Sequence, residues 1–297
     1  MAGTFAEIVA AARNRAARKR LVVSSVRKPD MEIISRAARE GLIVPLLVGD
    51  AEAAETLAKK CALASYEYEI VHVKDKDEAL RAAIAMVREG RADMLMQGSR
   101  DPKTFMNAVL DAKTGLLKGK LASYVSVFKL LKGDKLILVT DTFVNNFPGI
   151  SEKQLILEHA IKLAGILGIE APKVAALAAI EQVNPSIPST LDAAVLSKMA
   201  ERKQFGNAIV EGPVDIDCAL SHIAAERKGL KSVVTGNVDI YLVPEIESGY
   251  LLAQSLVFLG KMEMAGVLMG MTKPVILNLP FVSRENRLVE IALASLI

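Results

Sequence analysis

"LVVSSVRKPDMEIISRAAREGLIVPLLVGD", residues 21–50, decides the fold. An apolar run, "LVVSSV", is followed by a segment of helical period, "DMEIISRAAREG", and then by a second apolar run, "VPLLVG", from Val44. Short apolar runs bounded by turn signals read as strands buried on both faces. The intervening segment opens on Asp30 and stops at Gly41, an N-cap and a C-cap signal respectively. Strand, helix, strand in this order is a βα unit feeding a parallel sheet, so the fold class is α/β.

The same alternation runs on through the chain. Further strands are expected at "YEIVHV" (from 68), "DMLMQG" (93), "YVSVF" (124), "LILVTDT" (136), "VAALAAI" (174), "NAIVEGP" (207), "DIYLVP" (239), "AGVLMG" (265) and "PVILNLP" (274). Helices are expected over "DAEAAETLAKK" from Asp50, over "SEKQLILEHAIKLAGILG" from a capping Ser151 to Gly168, and in the opening "MAGTFAEIVAAARNRAARKR". That opening carries its positive charges after the apolar part, the reverse of a secretory signal. Eleven strands exceed what an ordinary open sheet holds, so two sheets and two domains are expected, with a first crossing near "DTFVNNFPGIS" (141–151).

Composition removes several classes of function. With 297 residues, 52% of them hydrophobic, the chain buries a substantial core. Lys+Arg of 37 against Asp+Glu of 34 is too even for a nucleic-acid footprint. No uncharged apolar stretch reaches the ~18 residues that a membrane span needs. Cys61 and Cys218 form neither a disulfide framework nor a CxxC pair, which points to a reducing cytosol. His72, His159 and His222 lack ligand spacing, so no metal is expected. "GLLKGK" (115–120) falls one residue short of a P-loop, with Leu121 where Ser or Thr is needed, and no GxGxxG occurs.

Six polar segments are placed at the ends of expected strands: "QGSRDPKT" (97–104), "TDTFVNN" (140–146), "NPSIPST" (184–190), "EGPVDID" (211–217), "PEIESGY" (244–250) and "LPFVSREN" (279–286). In open α/β sheets ligands bind beyond the carboxyl ends of the strands. Any one segment reads equally well as turn and cap residues; six together point to an enzyme.

The runs "VTDTFVNNFP" (139–148), "VNPSIPSTLDAAVLSKM" (183–199), "VEGPVDIDCALS" (210–221), "VDIYLVPEIESGYLLAQSL" (238–256) and "PFVSRENRLVEIALASL" (280–296) resemble phosphate butyryltransferases and, more remotely, phosphate acetyltransferases. The resemblance is colinear over almost the whole chain. It implies a two-domain fold of the isocitrate/isopropylmalate-dehydrogenase-like type, with residues 1–138 plus 273–297 as one domain, 139–272 as the other, and an active-site cleft between them. The implied reaction moves a short acyl group between coenzyme A and inorganic phosphate by direct displacement in a ternary complex. Acyl-coenzyme A and phosphate are the small-molecule partners, with no bound cofactor and no metal, in a cytoplasmic homodimer.

Such chemistry needs a guanidinium fork for phosphate, a base for a thiol whose pKa lies near 8.5, and a donor for the carbonyl oxygen as it becomes an oxyanion. By similarity, Ser283 and Arg284 take the donor and phosphate-anchoring roles, and Glu290 is the candidate base where the acetyltransferases carry aspartate. Candidate substrate-binding positions are Gln97, Gly98, Asn107, Asp141, Asn184, Pro185, Thr190, Glu211 and Gly212. Gln97, Asn107 and Leu117 depart from the basic residues common in the family. Judged on helix spacing alone, Arg284 and Glu290 are six apart and are not neighbours, whereas Arg287 and Glu290 can form a surface pair. Two alternatives stay open. One is a decarboxylating NAD(P)-dependent dehydrogenase, against which Asp215 and Asp217 are expected to point apart; the other is a coenzyme A-binding protein of reduced activity.

Overall fold

The computed structural model describes residues 3–131 and 133–297. Its eleven strands fall where the apolar runs place them: β1 (Lys19–Ser24), β2 (Ile43–Gly49), β3 (Glu69–His72), β4 (Met94–Met96), β5 (Ser123–Lys129), β6 (Leu136–Thr140), β7 (Lys173–Leu177), β8 (Ile209–Val214), β9 (Ile240–Leu242), β10 (Glu263–Met269) and β11 (Val275–Ile276). The helices are α1 (Phe5–Arg13), α2 (Lys28–Arg39), α3 (Ala51–Lys60), α4 (Lys76–Arg88), α5 (Pro102–Leu110), α6 (Ile150–Ile166), α7 (Pro188–Glu201), α8 (Ile216–Leu220), α9 (His222–Arg227), α10 (Ile246–Phe258) and α11 (Arg284–Leu296). The architecture is mixed α/β, with mostly parallel strands flanked by helices.

The chain divides into two compact units, a discontinuous one (Phe5–Ala122 with Ala265–Ile297) and an inserted one (Ser123–Met264), with the N-terminal residues up to Thr4 grouped with the inserted one. The first crossing, at Ala122/Ser123, falls earlier in the chain than the turn-rich stretch at 141–151. The reason is that β5 and β6 form an antiparallel pair, Ser126 facing Val139, which keeps β5 with the strands that follow it. A clean separation into two sheets does not hold strand by strand, because β10 itself runs through the division at Met264/Ala265.

In the discontinuous unit the strand order is β3-β2-β1-β4-β11-β10, parallel throughout except for the β10/β11 pair. In the inserted unit it is β5-β6-β9-β7-β8, parallel except for β5/β6. Leu21, Val22 and Val23 of β1 and Leu95 of β4 are fully buried, as central strands covered on both faces require. Each such side chain stabilises the fold by roughly 1.5–3 kcal/mol.

Two helix starts differ from the sequence reading for one reason. Helix α2 begins at Lys28 with Arg27 as its N-cap, and Asp30 sits inside the first turn, its carboxylate accepting from Arg27 N at 3.3 Å. Helix α6 begins after Gly149, with Glu152 accepting from Gly149 N at 2.6 Å, so Ser151 is not the cap. In both, an acid in the third helical position satisfies the orphan N–H from inside the helix. Asp50 does cap α3, accepting from Ala53 N at 3.1 Å.

The end of β4 is held tightly against β1. A Cβ built on Gly98 would lie 1.9 Å from Ser24 O, so only glycine fits. Gly98→Ala is therefore expected to lose at least about 1–3 kcal/mol of stability, read as a lower urea midpoint. An unchanged midpoint would show that the two strand ends part freely.

Candidate active site

Strands β1, β4 and β11 are parallel neighbours, so their carboxyl ends, Ser24, Met96 and Ile276, lie on one edge of the discontinuous unit. Three residues meet there that lie far apart in sequence. Gln97 is 4% exposed; its Oε1 accepts from Asn278 N at 2.9 Å and its Nε2 donates to Arg100 O at 3.0 Å. Asn278 Nδ2 in turn donates to Asp30 Oδ1 at 2.9 Å, and Asp30 grips the Arg27 guanidinium through Nε at 2.8 Å and Nη2 at 3.0 Å. Gln97 thus ties strand ends together, and Arg27, which the sequence reading passed over, places a guanidinium on this edge. Asp30 and Asn278, 248 positions apart, were missed with it. An arginine and an aspartate three apart at a helix start are the one local signal that could have found the pair.

The other first-unit positions are less enclosed. Gly98 is buried beside Gln97, whereas Asn107 is exposed on α5. Leu117 forms an isolated bridge with Met271. Arg100 pairs with Asp77.

Ser283 is the N-cap of α11, its Oγ accepting from Asn286 N at 3.2 Å. Arg284 is 68% exposed in its side chain and is tethered by Nη1 to Glu32 at 2.9 Å. The N-terminus of a helix favours anions, so the pair presents a hydroxyl and a guanidinium beside free backbone N–H groups. Glu290 lies one and a half turns inside the helix and is 0% exposed. Arg287 Nη1 meets it at 3.0 Å, donates to Leu277 O at 2.6 Å, and its Nη2 donates to Leu279 O. The Arg287–Glu290 pair is therefore buried, not the surface pair that helix spacing suggested, because α11 packs against α1, α2 and β11.

In the inserted unit Asp141 follows β6 and is 3% exposed. Its carboxylate accepts from the backbone N of Tyr124 (3.1 Å), Phe143 (3.0 Å) and Asn145 (3.0 Å), closing the loop after the strand. Burial pushes its pKa up, against the pull of those hydrogen bonds. Phe143 stacks edge-on with Tyr124 and Tyr250, at centroid distances of 5.0 and 5.4 Å. Asn184 and Thr190 form one turn: Thr190 Oγ1 accepts from Asn184 N at 2.9 Å and lies 2.7 Å from Ile187 O, while Asn184 Oδ1 accepts from Ser186 N at 2.9 Å. Pro185 is exposed on that turn.

Glu211 and Gly212 lie within β8, not beyond its end, so only the later part of "EGPVDID" occupies the expected position. Sequence reasoning also missed Lys153, 6% exposed and bound to Asp192 at 2.6 Å on the edge where β7 and β9 end. A lysine in the first turn of α6, opposed by the helix dipole, was the available signal.

Asp215 and Asp217 do not point apart. Asp215 is the N-cap of α8 and Asp217 belongs to its first turn, and with Glu181 they surround one ammonium, Lys228 Nζ. Lys228 lies 2.8 Å from both Glu181 and Asp217, and its pKa is held well above the usual range by those carboxylates. Cys218, beside them, is fully buried and its thiol is pushed up to about 12 by burial. Burial also raises the Cys61 thiol. Neither cysteine is disposed to form a thiolate nucleophile.

His159 is the one histidine at the edge of a core, with Nδ1 2.8 Å from Ser123 Oγ. Burial lowers its pKa below the ordinary ~6.5. The unfolded chain then binds more protons than the native state as pH falls below about 6.5, so the stability of the neutral ring is lost there. Thermal unfolding is expected to drop between pH 7 and pH 5.5, and to drop less in His159→Gln. An equal drop in both would assign the acid limb to other groups.

Each unit thus presents, at the carboxyl ends of its parallel strands, polar loops fixed by internal hydrogen bonds. The discontinuous unit adds an exposed guanidinium and a hydroxyl at a helix N-terminus, an arrangement suited to binding a phosphorylated group. Residues 42–294 match the family model described as "Phosphate acetyl/butaryl transferase". The chain is 37% identical over 297 residues to a phosphate butyryltransferase of Clostridium acetobutylicum, covering 100% of this chain and 99% of the relative. It is 35% identical over 280 residues to a phosphate acetyltransferase of Rickettsia felis, covering 94% and 80%. Among solved structures, a branched-chain phosphotransacylase from Enterococcus faecalis superposes with a TM-score of 0.80 at 25% identity, covering 94% of this chain and 99% of that one.

Proposed function

The chain belongs to the phosphate acetyl/butyryltransferase family and is a phosphate acyltransferase, and from that premise we propose which of its residues carry the reaction. The observation that carries the activity is the identity with a phosphate butyryltransferase from end to end. Coenzyme A and a short-chain acyl phosphate are the substrates, and the thiolate adds directly to the acyl carbonyl in a ternary complex. A carbon–sulfur bond forms, the carbon–oxygen bond to phosphate breaks, and the thiol proton ends on the departing phosphate, which leaves as hydrogen phosphate. The high thiol pKa of both Cys61 and Cys218 supports direct transfer over a covalent enzyme intermediate.

Arg284 anchors the phosphate, and Ser283, at the helix N-terminus, donates to the developing oxyanion. Glu290 acts through Arg287: the pair clamps the β11–α11 connection at Leu277 and Leu279 and so holds Ser283 and Arg284 in place. Gln97, Gly98, Asn107, Asp141, Asn184, Pro185, Thr190, Glu211 and Gly212 complete the reading as residues that shape the substrate loops. A two-domain organisation and a cytoplasmic homodimer belong to the same proposal. The dehydrogenase alternative has no support in the acidic cluster, because Lys228 already fills the place between Glu181, Asp215 and Asp217.

The deciding assay follows coenzyme A-dependent loss of acyl phosphate, from acetyl to branched five-carbon chains. Turnover with at least one is expected; none with any of them, in a folded protein, would sink the reading. One methylene in an apolar pocket is worth only about 1–3 kcal/mol, so a graded preference across the panel is expected.

A further inference from the structure

A second feature of the discontinuous unit lies beside the loops just described. A cavity of about 250 Å³ opens at the carboxyl ends of β1 and β2, with Arg27, Lys74, Lys76, Ser25 and Ser99 among its lining. Its remaining wall is apolar, formed by residues such as Val26, Leu47 and Ala53. The single acid in the lining, Asp50, is engaged as the N-cap of α3. Asp30 fixes the Arg27 guanidinium, whereas Lys74 and Lys76 take part in no ion pair among the described residues. Ser99 Oγ is buried and has no hydrogen-bond partner among the described residues. The frame is rigid: Ser25 N donates to Val48 O at 2.7 Å, Ser99 N donates to Ser25 O at 3.1 Å, and Ser25 sits at φ +49°. Three cations, an unsatisfied hydroxyl and an apolar wall are complementary to a phosphate group joined to a flat, weakly polar body.

We propose that this cavity binds the phosphate-bearing end of a nucleotide, with Lys74 and Lys76 as the charge that holds it and Ser99 as an additional donor. Two sources share that chemistry. One is the nucleotide end of coenzyme A, in which case the site rests on the acyltransferase reading and extends its substrate contacts; the other is a free nucleoside diphosphate, which does not depend on that reading.

Calorimetric titration of coenzyme A and of ADP, at fixed low salt, into the wild-type chain and Lys74→Gln/Lys76→Gln separates the cases. Both lysines are exposed, so the variant is expected to unfold at the wild-type temperature. Binding weakened by about tenfold or more in the variant is expected. Weakening for coenzyme A alone identifies its nucleotide end as the ligand, and weakening for ADP as well shows that the diphosphate suffices. A change below twofold for both probes, or no binding of either to the wild-type chain, overturns the proposal. Because the readout is binding, absence of acyl turnover alongside lysine-dependent binding would remove the acyltransferase reading and leave this site standing.

Discussion

Arg284→Ala is expected to raise the phosphate concentration needed for half-saturation and to cut kcat/KM by roughly 10- to 100-fold. The guanidinium projects from the first turn of α11 with 68% of its side chain exposed, tied only to Glu32 among the ion pairs of the described residues. A charged hydrogen bond contributes about 1.5–3 kcal/mol, and a bidentate fork adds geometric selection that an ammonium lacks. Arg284→Lys should therefore recover part of the loss, mainly in the phosphate dependence. The fold should not notice either change, since the side chain contributes little to any core. Unchanged steady-state kinetics for Arg284→Ala across a phosphate series would take the residue out of the site.

Arg287→Ala is expected to act on stability, by about 3–5 kcal/mol. It leaves Glu290, 0% exposed, without the guanidinium that faces it, and removes the donors that meet Leu277 O and Leu279 O. Breaking one side of a buried pair costs more than replacing both, so a double variant with apolar residues of similar volume at 287 and 290 should regain much of the loss. Urea unfolding of the two single variants and the double variant reads the coupling directly; additive losses would show that the two side chains do not interact. Activity separates the possible roles of Glu290. A positioning role predicts that Glu290→Gln, which keeps shape and hydrogen bonding, retains a measurable part of kcat in a variant that still folds. A base role predicts loss of turnover with little change in the unfolding midpoint.

Much of the fold was legible because two-sided burial leaves a strong mark. A strand covered on both faces is apolar where it is buried; the run "LVVSSV" overlaps β1 and "LILVTDT" contains β6. Helix ends were read less well. Asp30 and Glu152 satisfy their helix starts from the third position, and nothing local separates such an acid from an N-cap. Ser283 and Arg284 stand out in the sequence only through the resemblance of their neighbourhood, and in the structure they are a cap and a first-turn cation. Glu290 reads as the candidate base by similarity, yet spacing cannot tell a surface pair with Arg287 from a buried one. That depends on what covers α11, and α1 and α2 come from the other end of the chain.

The sequence by itself determined the class of fold, the succession of strands along the chain, the family and hence the reaction, because periodicity and colinear similarity are properties of the chain as written. Only the tertiary structure decided which polar side chains are available to a substrate. Gln97 is engaged by Asn278, Arg27 is aimed by Asp30, Asp215 and Asp217 converge on Lys228, and Lys153 stands against Asp192. Apart from Arg27 and Asp30, which lie three apart at one helix start, each of these pairings joins residues from different elements. A hydrogen bond or ion pair forms where backbone ladders bring two strand ends or helix starts together, and no local pattern records that meeting.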